Sequence, residues 1–498
     1  MASSLLHAGW LTVDALSASC QECPVSSLAL FRPRLRRPSA APVLPRGGEV
    51  QRRRVGRPHL LAALFFTAYA ALSVTKHLQL RSTGYDLGIF EQAVRAYAEL
   101  RTPVSELKGA GYHLLGDHFH PILATLAPLY RLFPTPLTLL TAQAALLAVS
   151  VIPVTRLAIR TTTPRLGTAI GIAYGLSWGL QKAVAFDFHE IAFAVPLLAF
   201  SLEHLALRQW RPAAAWALPL ILVKEDLPLT VAAIGLYILL SGRRRLLGTA
   251  VLAYGVLSGL LIVLVVIPAF SPDGHYAYLH TATQATGGNP ITRLLLPPQK
   301  LGTLLALLAP TAFLALRSPL IVLALPTLAW RFWSTTPAYW GLDHHYSAVV
   351  MPIIFLAFAD ALGRLNRTGL VTRAVAVSVA ASLLALPFLP LRDLAGPAWR
   401  PSPWAGAACE VMAAVPDGAE IGAVNYLAPQ LTSRAHVYRF PQALDSGTKP
   451  EWLLISDPAR GGMPGFPWEL PRQPEIPSLG YRLVMERSGI QLYRLAYR

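Results

Sequence analysis

The stretch HLLAALFFTAYAALSVT at residues 59–75 decides the broad fold of this chain. It contains no Asp, Glu, Lys or Arg, and it approaches the length of about 20 residues that a helix needs to cross a membrane. Comparable apolar runs recur as far as residue 390, and hydrophobic residues make up 54% of the 498 residues against 14% for charged residues. A soluble domain needs a more polar surface. The sequence therefore predicts an α-helical polytopic membrane protein.

Basic residues indicate how the chain is threaded through the membrane. The formal net charge is +17, but Arg residues cluster in short segments between the apolar runs, as in GRRR at 242–245. Such clusters mark cytoplasmic connections, so nucleic acid is not an expected partner. This rule predicts about eleven transmembrane helices in the plasma membrane, with a cytoplasmic N-terminus and an external C-terminus. The predicted spans are 59–75, 137–155, 166–184, 191–207, 212–223, 227–241, 246–269, 301–316, 319–333, 347–362 and 371–390.

The chain divides into three predicted regions. Residues 1–58 are rich in Arg and Pro and lack a sustained hydrophobic period, so we expect a disordered cytoplasmic head. Residues 59–390 form the predicted transmembrane domain, with a long first external loop at 76–136. Residues 391–498 contain short strand patterns between Pro, Gly and Asp turns, which predict a small external α/β domain.

Acidic residues and histidines gather in the connections that this topology places outside the membrane. They occur in GYDLGIFEQAV at 84–94, GDHFHP at 116–121, FDFHE at 186–190, KED at 224–226 and DHHY at 343–346. Ionisable groups at membrane depth are costly and usually mark a functional site. We therefore expect these five connections to form one site on the outer side.

Asp86 and Glu91 in the first of these segments are the candidate catalytic residues. A simpler role for Asp86 is the N-cap of an amphipathic helix on the outer surface, because Leu87, Phe90 and Val94 have helical spacing. The density of His and Asp nearby favours a catalytic or metal-binding role in addition. For Glu91, a catalytic role and a place on the solvated face of that helix are both open.

Carboxylates, imidazoles and one amine in these segments are candidate substrate-binding groups. Lys224 is a rare external cation, suited to contact a phosphate. The candidate substrate-binding residues are His118, His120, His189, Glu190, Lys224, Glu225, His344, His345 and Tyr346. The candidate ligands for a divalent cation, Mg²⁺ or Mn²⁺, are Asp86, Asp117 and His118. The structural alternatives are a turn at Asp117, solvation of short loops, and anchoring of residues 344–346 at the membrane interface.

The segments YDLGIFEQAV, GDHFHPILATLAPLYRLFP, FDFHEIAFAVPLLAF, KEDLPL and HHYSAVVMPIIFLAF carry a family resemblance. From about residue 60 to about residue 440, the chain resembles a bacterial family of multi-spanning membrane proteins, domain of unknown function 2079. That family is similar in layout to the GT-C class of membrane glycosyltransferases. In that class a long first external loop bears an acidic catalytic residue, and the usual donor is a sugar linked to a lipid phosphate.

This resemblance implies a role for Asp86 and a set of partners. Asp86 would act as a general base or metal ligand, and the partners would be membrane lipid, a lipid-linked sugar and an external acceptor. The present loop reads D-L-G and lacks the paired acids found in many members of the GT-C class.

The expected function is GT-C-like transfer of a sugar from a polyprenyl-phosphate donor to an extracytoplasmic acceptor. A transporter or channel for a polar solute would need polar residues through the middle of the membrane, whereas the middles of the predicted spans are mainly Leu, Ala, Val and Ile. A non-catalytic envelope scaffold is the third alternative, and a scaffold should tolerate the replacement of Asp86 by Asn.

Overall fold

The computed structural model of the protein describes residues 56–278 and 289–496. Residues 1–55 of the predicted disordered head lie outside this described part. Residues 56–58 do not belong to such a head, because the first helix begins at Gly56. Pro58 falls in the first turn of this helix, where its missing N–H costs no hydrogen bond.

Helices make up most of the described chain. The first are α1 (Gly56–Leu78), α2 (Ile89–Ala98), α3 (Ala127–Leu132), α4 (Pro136–Val149), α5 (Val151–Thr161), α6 (Pro164–Gly175), α7 (Trp178–Ala185), α8 (Ala194–Ala206), α9 (Trp210–Ala217) and α10 (Leu227–Gly242). They are followed by α11 (Arg245–Leu261), α12 (Ile267–Phe270), α13 (Pro290–Leu295), α14 (Gln299–Leu308), α15 (Leu325–Trp333), α16 (Pro337–Trp340), α17 (Val350–Gly363), α18 (Thr368–Ala385), α19 (Ala405–Ala413) and α20 (Gln442–Asp445).

Five helical segments of the described chain are long and apolar enough to cross a membrane. They are Gly56–Leu78, Pro136–Thr161, Arg245–Phe270, His345–Gly363 and Thr368–Phe388. Two shorter apolar helices, Leu227–Gly242 and Pro319–Trp333, accompany them. These segments bear out the prediction of a polytopic helical membrane protein.

Every predicted span falls on helical backbone, but several spans are interrupted. The span predicted at 166–184 is divided between α6 and α7, which are separated by Leu176 and Ser177. The span predicted at 212–223 contains α9 and then a 3-10 turn that includes Pro219. Because proline removes a backbone donor and obstructs the preceding turn, an apolar pattern can continue where the regular helix ends. The number of crossings therefore stays a prediction.

One core of buried side chains fills the space among the helices. Its large members include Tyr69 of α1, Tyr174 of α6, and Phe355 and Phe358 of α17. Nearly every residue of α17 is buried, as expected for a helix that is apolar on all sides. The helix α17 is therefore central to the helical part of the molecule.

A five-stranded mixed sheet lies in the C-terminal part. Its strands are β1 (Glu420–Ala423), β2 (His436–Arg439), β3 (Trp452–Ser456), β4 (Tyr481–Arg487) and β5 (Ile490–Leu495), in the order β2-β1-β3-β5-β4. The strand β1 is parallel to β2 and β3, whereas β5 is antiparallel to β3 and β4. Ser488 and Gly489 join β4 to β5 with positive φ at both positions, as a type I′ turn requires. The predicted small α/β region is confirmed.

The helix α2 is not the external surface helix that the sequence predicts. Ile89 and Phe90 belong to a second core that also contains Leu427 and Val437 of the C-terminal part. Gln92 Nε2 donates a hydrogen bond to the carbonyl of Val437 at 2.9 Å. The apolar face of α2 is therefore covered by protein, because the C-terminal part packs on it.

The Glu91 carboxylate is buried in this second core and is not on a solvated face. Its Oε1 accepts a hydrogen bond from the Tyr130 hydroxyl at 2.8 Å, and its Oε2 accepts one from the Thr432 hydroxyl. Burial raises the pKa of Glu91 to about 7, although both hydrogen bonds lower it. This environment favours a role in joining the first loop to the C-terminal part over the predicted catalytic role.

We predict that Glu91→Gln changes how stability depends on pH. Between pH 4.5 and about 7 the folded protein keeps a proton on Glu91 that the unfolded chain releases. The wild-type free energy of unfolding should therefore fall as the pH rises through this window, by about 3 kcal/mol from this group. The Glu91→Gln variant should lose the part of this pH dependence that comes from the Glu91 carboxyl. Thermal unfolding of both proteins in detergent across this pH range measures the difference.

Tyr130→Phe is the control for this experiment, because it removes one hydrogen bond but keeps the titrating carboxyl. Its Tm should still fall as the pH rises. If wild type and Glu91→Gln gave parallel curves of Tm against pH, the assigned environment of Glu91 would be wrong.

Candidate active site

Asp86 lies in a π-helical turn, Gly84–Gly88, that the C-terminal part holds in place. The N–H of Gly84 donates to the carbonyl of Asn425 at 2.7 Å, and the N–H of Tyr85 donates to the Asn425 side-chain oxygen at 2.8 Å. A Cβ on Gly84 would lie 2.6 Å from the Cβ of Ala428, so a side chain here would force the two segments apart. The C-terminal part therefore fixes the backbone that carries the Asp86 carboxyl.

The predicted capping role of Asp86 is wrong. Helical backbone already begins at Gly84, so Asp86 lies inside the first turn, and α2 begins after it with Gly88 at the N-cap. Neither of these two turns has a side-chain hydrogen bond at its N-cap. The Asp86 carboxyl is therefore available for other contacts, and 20% of the side chain is exposed.

His189 lies between Asp86 and Glu190. Its Nε2 is 3.7 Å from Asp86 Oδ1, and its Nδ1 is 3.7 Å from Glu190 Oε2. The rings of Phe90 and Phe186 pack against the imidazole, with centroid distances of 5.1 Å and 5.5 Å. Within residues 56–278 and 289–496, His189 Nδ1 and Glu190 Oε2 are buried without a hydrogen-bond partner. Such unsatisfied polar atoms indicate a position that a ligand or water completes.

Glu190 forms an ion pair with Lys224. Glu190 begins the 3-10 turn that precedes α8, and Lys224 lies just before α10. Glu190 Oε1 is 2.8 Å from Lys224 Nζ, and the two side chains are 1% and 13% exposed. A charge buried to this degree requires a partner. The pair therefore holds an ammonium group close to His189 and Asp86.

The segment His344–Tyr346 reaches the same place from another connection. The ring of His345 contacts the ring of His189, with centroids 3.6 Å apart, and the ring of Tyr346 lies 4.1 Å from that of His345. His344 packs against Phe186 at 4.9 Å. Residue 345 also begins a membrane-capable helical segment. The position of His344–Tyr346 therefore fits both alternatives from the sequence, a substrate-binding role and an anchor at the membrane interface. We name Asp86, His189, Glu190, Lys224, His345 and Tyr346 the Asp86 cluster.

A second polar group borders the Asp86 cluster and is centred on Glu225. His118 Nδ1 lies 2.6 Å from Glu225 Oε1, and the Tyr276 hydroxyl donates to the same oxygen at 2.8 Å. The N–H of Phe119 donates to Glu225 Oε2 at 3.0 Å. Burial opposes ionisation, but His118 and Lys224 lower the pKa of Glu225 to about 2. Glu225 is therefore a carboxylate at neutral pH.

His120 borders the Asp86 cluster through Phe90. The ring of Phe90 contacts both His120 and His189, with centroid distances of 5.6 Å and 5.1 Å. Burial lowers the pKa of His120 to about 4, so the ring is neutral at pH 7. The Nδ1 of His120 has no hydrogen-bond partner in the described part of the chain. This packing is typical of a core position next to a site.

The charged groups of the Asp86 cluster are a titratable acid, Asp86, and the ion pair of Glu190 with Lys224. Burial, together with Asp187 and Glu190, raises the pKa of Asp86 well above its usual range. Burial lowers the pKa of His189 to about 4, so its imidazole is neutral at pH 7. Burial opposes the charge of Lys224, but Glu190 raises the pKa of Lys224 and keeps it an ammonium. The arrangement offers a proton acceptor of raised basicity near a positive charge.

The three candidate metal ligands do not fit one shared cation site. Asp117 Oδ2 is 2.8 Å from Lys108 Nζ, His118 is engaged by Glu225, and Asp86 lies beside His189. In the residues that the structure describes, no three His, Cys, Asp or Glu side chains converge as ligands. A hard divalent cation needs several oxygen ligands together. Asp86, Asp117 and His118 are therefore not arranged as ligands of one divalent cation.

Three polar residues at the site are missing from the candidates chosen by sequence: Lys76, Asp187 and Asn425. The Asp187 carboxylate accepts hydrogen bonds from Lys76 Nζ at 2.5 Å and from the N–H of Thr83 at 2.9 Å. Its φ of 77° is rare for a residue other than glycine. The segment FDFHE contains Asp187, but its partner Lys76 lies 111 residues earlier, so no local pattern reveals the pair.

The structure is similar to two crystal structures of ArnT from Cupriavidus metallidurans. For ArnT bound to undecaprenyl phosphate, the TM-score is 0.54 at 14% identity, and the match covers 86% of this chain and 97% of ArnT. For ArnT in the apo state, the TM-score is 0.49 at 15% identity, with the same coverage. The first match shows an ArnT-like fold and confirms the expected GT-C-like architecture.

No curated protein matches the sequence. A family model described as predicted membrane protein (DUF2079) matches residues 76–492, a range that includes every candidate site residue. The match confirms the resemblance suggested by the sequence motifs. This chain belongs to the DUF2079 family of predicted membrane proteins.

Proposed function

We propose that this protein transfers a sugar from a polyprenyl-phosphate carrier to an acceptor at the outer face of the plasma membrane. The observation that carries the proposal is the partly exposed Asp86 carboxyl, 3.7 Å from a neutral imidazole and close to a buried ammonium. The ArnT-like fold supports a lipid-linked donor, because the similar ArnT structure is bound to undecaprenyl phosphate.

In the proposed reaction, Asp86 accepts the proton of an acceptor hydroxyl. The hydroxyl oxygen forms a bond to the anomeric carbon of the sugar while the bond from that carbon to the phosphate oxygen breaks. The electron pair of the broken bond leaves with the polyprenyl phosphate. Lys224 stabilises the negative charge on the departing phosphate, and it does so effectively because water is largely excluded around it.

The remaining groups bind and orient the substrates in this proposal. The neutral ring of His189 contacts Asp86 and His345, so it holds the base in position without adding charge. Glu225 and Tyr346 both act electrostatically on Lys224, and in this proposal they give the hydroxyls and the apolar face of the donor sugar an acceptor and an aromatic ring. The hydrocarbon tail of the carrier lies along the exposed apolar helices.

Asp86→Asn is expected to lower the transfer rate by about 100-fold or more, because an amide cannot accept the acceptor proton. The assay measures transfer from a panel of radiolabelled polyprenyl-phosphate sugars by the purified protein in lipid. Asp417→Asn is the matched control, since its side chain is 83% exposed and lies in the C-terminal part. Full activity of Asp86→Asn, or no transfer by folded wild type with any donor, would contradict the proposal.

The pH dependence of transfer provides a second prediction. Asp86 must be ionised to accept a proton, and its surroundings raise its pKa. The value of kcat/KM should therefore rise with pH along an acid limb whose midpoint lies clearly above the usual aspartate pKa of about 3.9. A pH profile of the wild-type protein checks this directly. A midpoint at the ordinary aspartate value would show that the base is another group or that Asp86 is solvated.

Lys224→Met separates the proposed role of Lys224 from its structural role. The substitution leaves the Glu190 carboxylate buried without its partner, so the protein should lose about 3 kcal/mol or more of stability as well as activity. The double variant Lys224→Met/Glu190→Gln removes both charges and should regain most of that stability. It should remain inactive, because no ammonium stabilises the leaving phosphate. Recovery of transfer together with the Tm would contradict the role of Lys224.

A further inference from the structure

A cavity of about 220 Å³ lies where α1 and α7 end, against the turns that follow α18. Its lining residues include no member of the Asp86 cluster. At about 30 Å³ for each water molecule, the cavity has room for roughly seven waters, which is enough for a phosphate group and the first atoms attached to it. The cavity therefore has the size of a headgroup site.

The wall of this cavity is strongly basic. Among the residues that the structure describes, its charged lining residues are the cations Lys76, Arg81, Lys182 and Arg392 and the acid Asp393. Asp393 is shared, since it lies 3.4 Å from Arg81 and 3.7 Å from Arg392. The side chains of Arg81 and Arg392 are 51% and 61% exposed, so these ion pairs contribute little energy. An anion can therefore bind both guanidinium groups at small cost.

The two lysines in the wall have acidic partners outside it. Lys182 Nζ lies 3.0 Å from Asp343, whose side chain is 81% exposed and easily rehydrated. Lys76 Nζ lies 2.5 Å from Asp187, which is only 3% exposed, so water does not readily replace either partner of this ion pair. Lys182 is therefore available to a ligand together with the two arginines. Lys76 stays paired with Asp187 and attracts an anion mainly through the electrostatic field of its positive charge.

One side of the cavity is apolar and belongs to the membrane-spanning region. Leu72, Phe388, Leu389 and Pro390 line it, and Phe388 is 79% exposed. Leu72 lies in one membrane-capable segment, and Phe388 is the last residue of another. A cavity with basic groups on one wall and membrane-facing carbon on the other suits a ligand that carries a phosphate on a hydrocarbon chain.

We propose that this cavity binds the phosphate headgroup of an anionic membrane lipid. Arg81, Lys182 and Arg392 hold the phosphate oxygens through charge-assisted hydrogen bonds. The first part of the hydrocarbon chain lies against Leu72 and Phe388. The inference does not depend on the proposed function, because it uses none of the residues of the Asp86 cluster.

The test counts lipids bound to the full-length protein in detergent by native mass spectrometry. The probes are phosphatidylglycerol, phosphatidylcholine and inorganic phosphate. The variant Arg81→Gln/Lys182→Gln/Arg392→Gln removes three charges from the cavity, and Lys449→Gln/Arg460→Gln/Arg482→Gln removes three exposed charges from the C-terminal part. Loss of these three phosphate contacts should weaken binding of phosphatidylglycerol by about tenfold or more, whereas the control should bind nearly as wild type.

Each outcome of this test supports or overturns the proposal. Equal losses in both triple variants would mean general attraction to a basic surface, and equal binding of the two lipids would mean no headgroup site. Displacement of phosphatidylglycerol by millimolar inorganic phosphate would assign the cavity to free phosphate instead. If the triple variant does not fold, Arg392→Gln alone, at a side chain 61% exposed, should still weaken binding measurably.

Discussion

The ion pair between Glu190 and Lys224 is the interaction on which the site depends. Both groups are almost fully removed from water, and a charge in that position is stable only beside an opposite charge. The pair joins the turn before α8 to the connection before α10 and brings His189 into its place next to Asp86. Its two charges act on Asp86 in opposite directions, because Glu190 raises the pKa of Asp86 and Lys224 lowers it. This ion pair therefore contributes to the geometry of the cluster and, together with burial and Asp187, to the charge state of Asp86.

The C-terminal part is the second support of Asp86, and it acts through the backbone. Asn425 accepts hydrogen bonds from the backbone N–H groups of the turn that begins at Gly84. The N–H of Asn425 donates to Glu469 at 2.7 Å, and this bond fixes the position of Asn425. On the next helix, Glu91 bonds to Thr432 in a shared core. The carboxyl of Asp86 thus lies beside His189, and the C-terminal part holds its backbone through Asn425. In the proposed reaction, a carboxyl whose backbone is fixed in this way needs little reorganisation when a substrate binds.

Local patterns in the sequence predict the elements of this fold but not their long-range pairing. The strands and the apolar helices follow from periods of two and from long apolar runs, and the predicted segments fall on strands and helical backbone, although several predicted spans are interrupted. The place of α2 does not follow, because the same amphipathic pattern suits a membrane surface and a contact with a sheet. The sequence therefore leaves a solvated position open for Glu91, although the residue is buried. Likewise, the Asp187 carboxylate pairs with Lys76, which is 111 residues away in the sequence, so no local pattern predicts this contact. Topology can gather Asp86, His189 and Lys224 at one end of the helices, but only packing decides which of them touch.

Asp187 joins the surroundings of Asp86 to the basic cavity. Its carboxylate binds Lys76, which lines that cavity, and also Thr83, which precedes the turn that carries Asp86. The negative charge of Asp187 raises the pKa of Asp86, and the positive charge of Lys76 lowers it. The left-handed backbone of Asp187, with φ at 77°, is an unfavourable conformation that the fold retains at this junction. Electrostatic interactions over short distances are strong in low-dielectric surroundings. A phosphate bound close to Lys76 would therefore offset part of the positive charge of Lys76 and raise the pKa of Asp86.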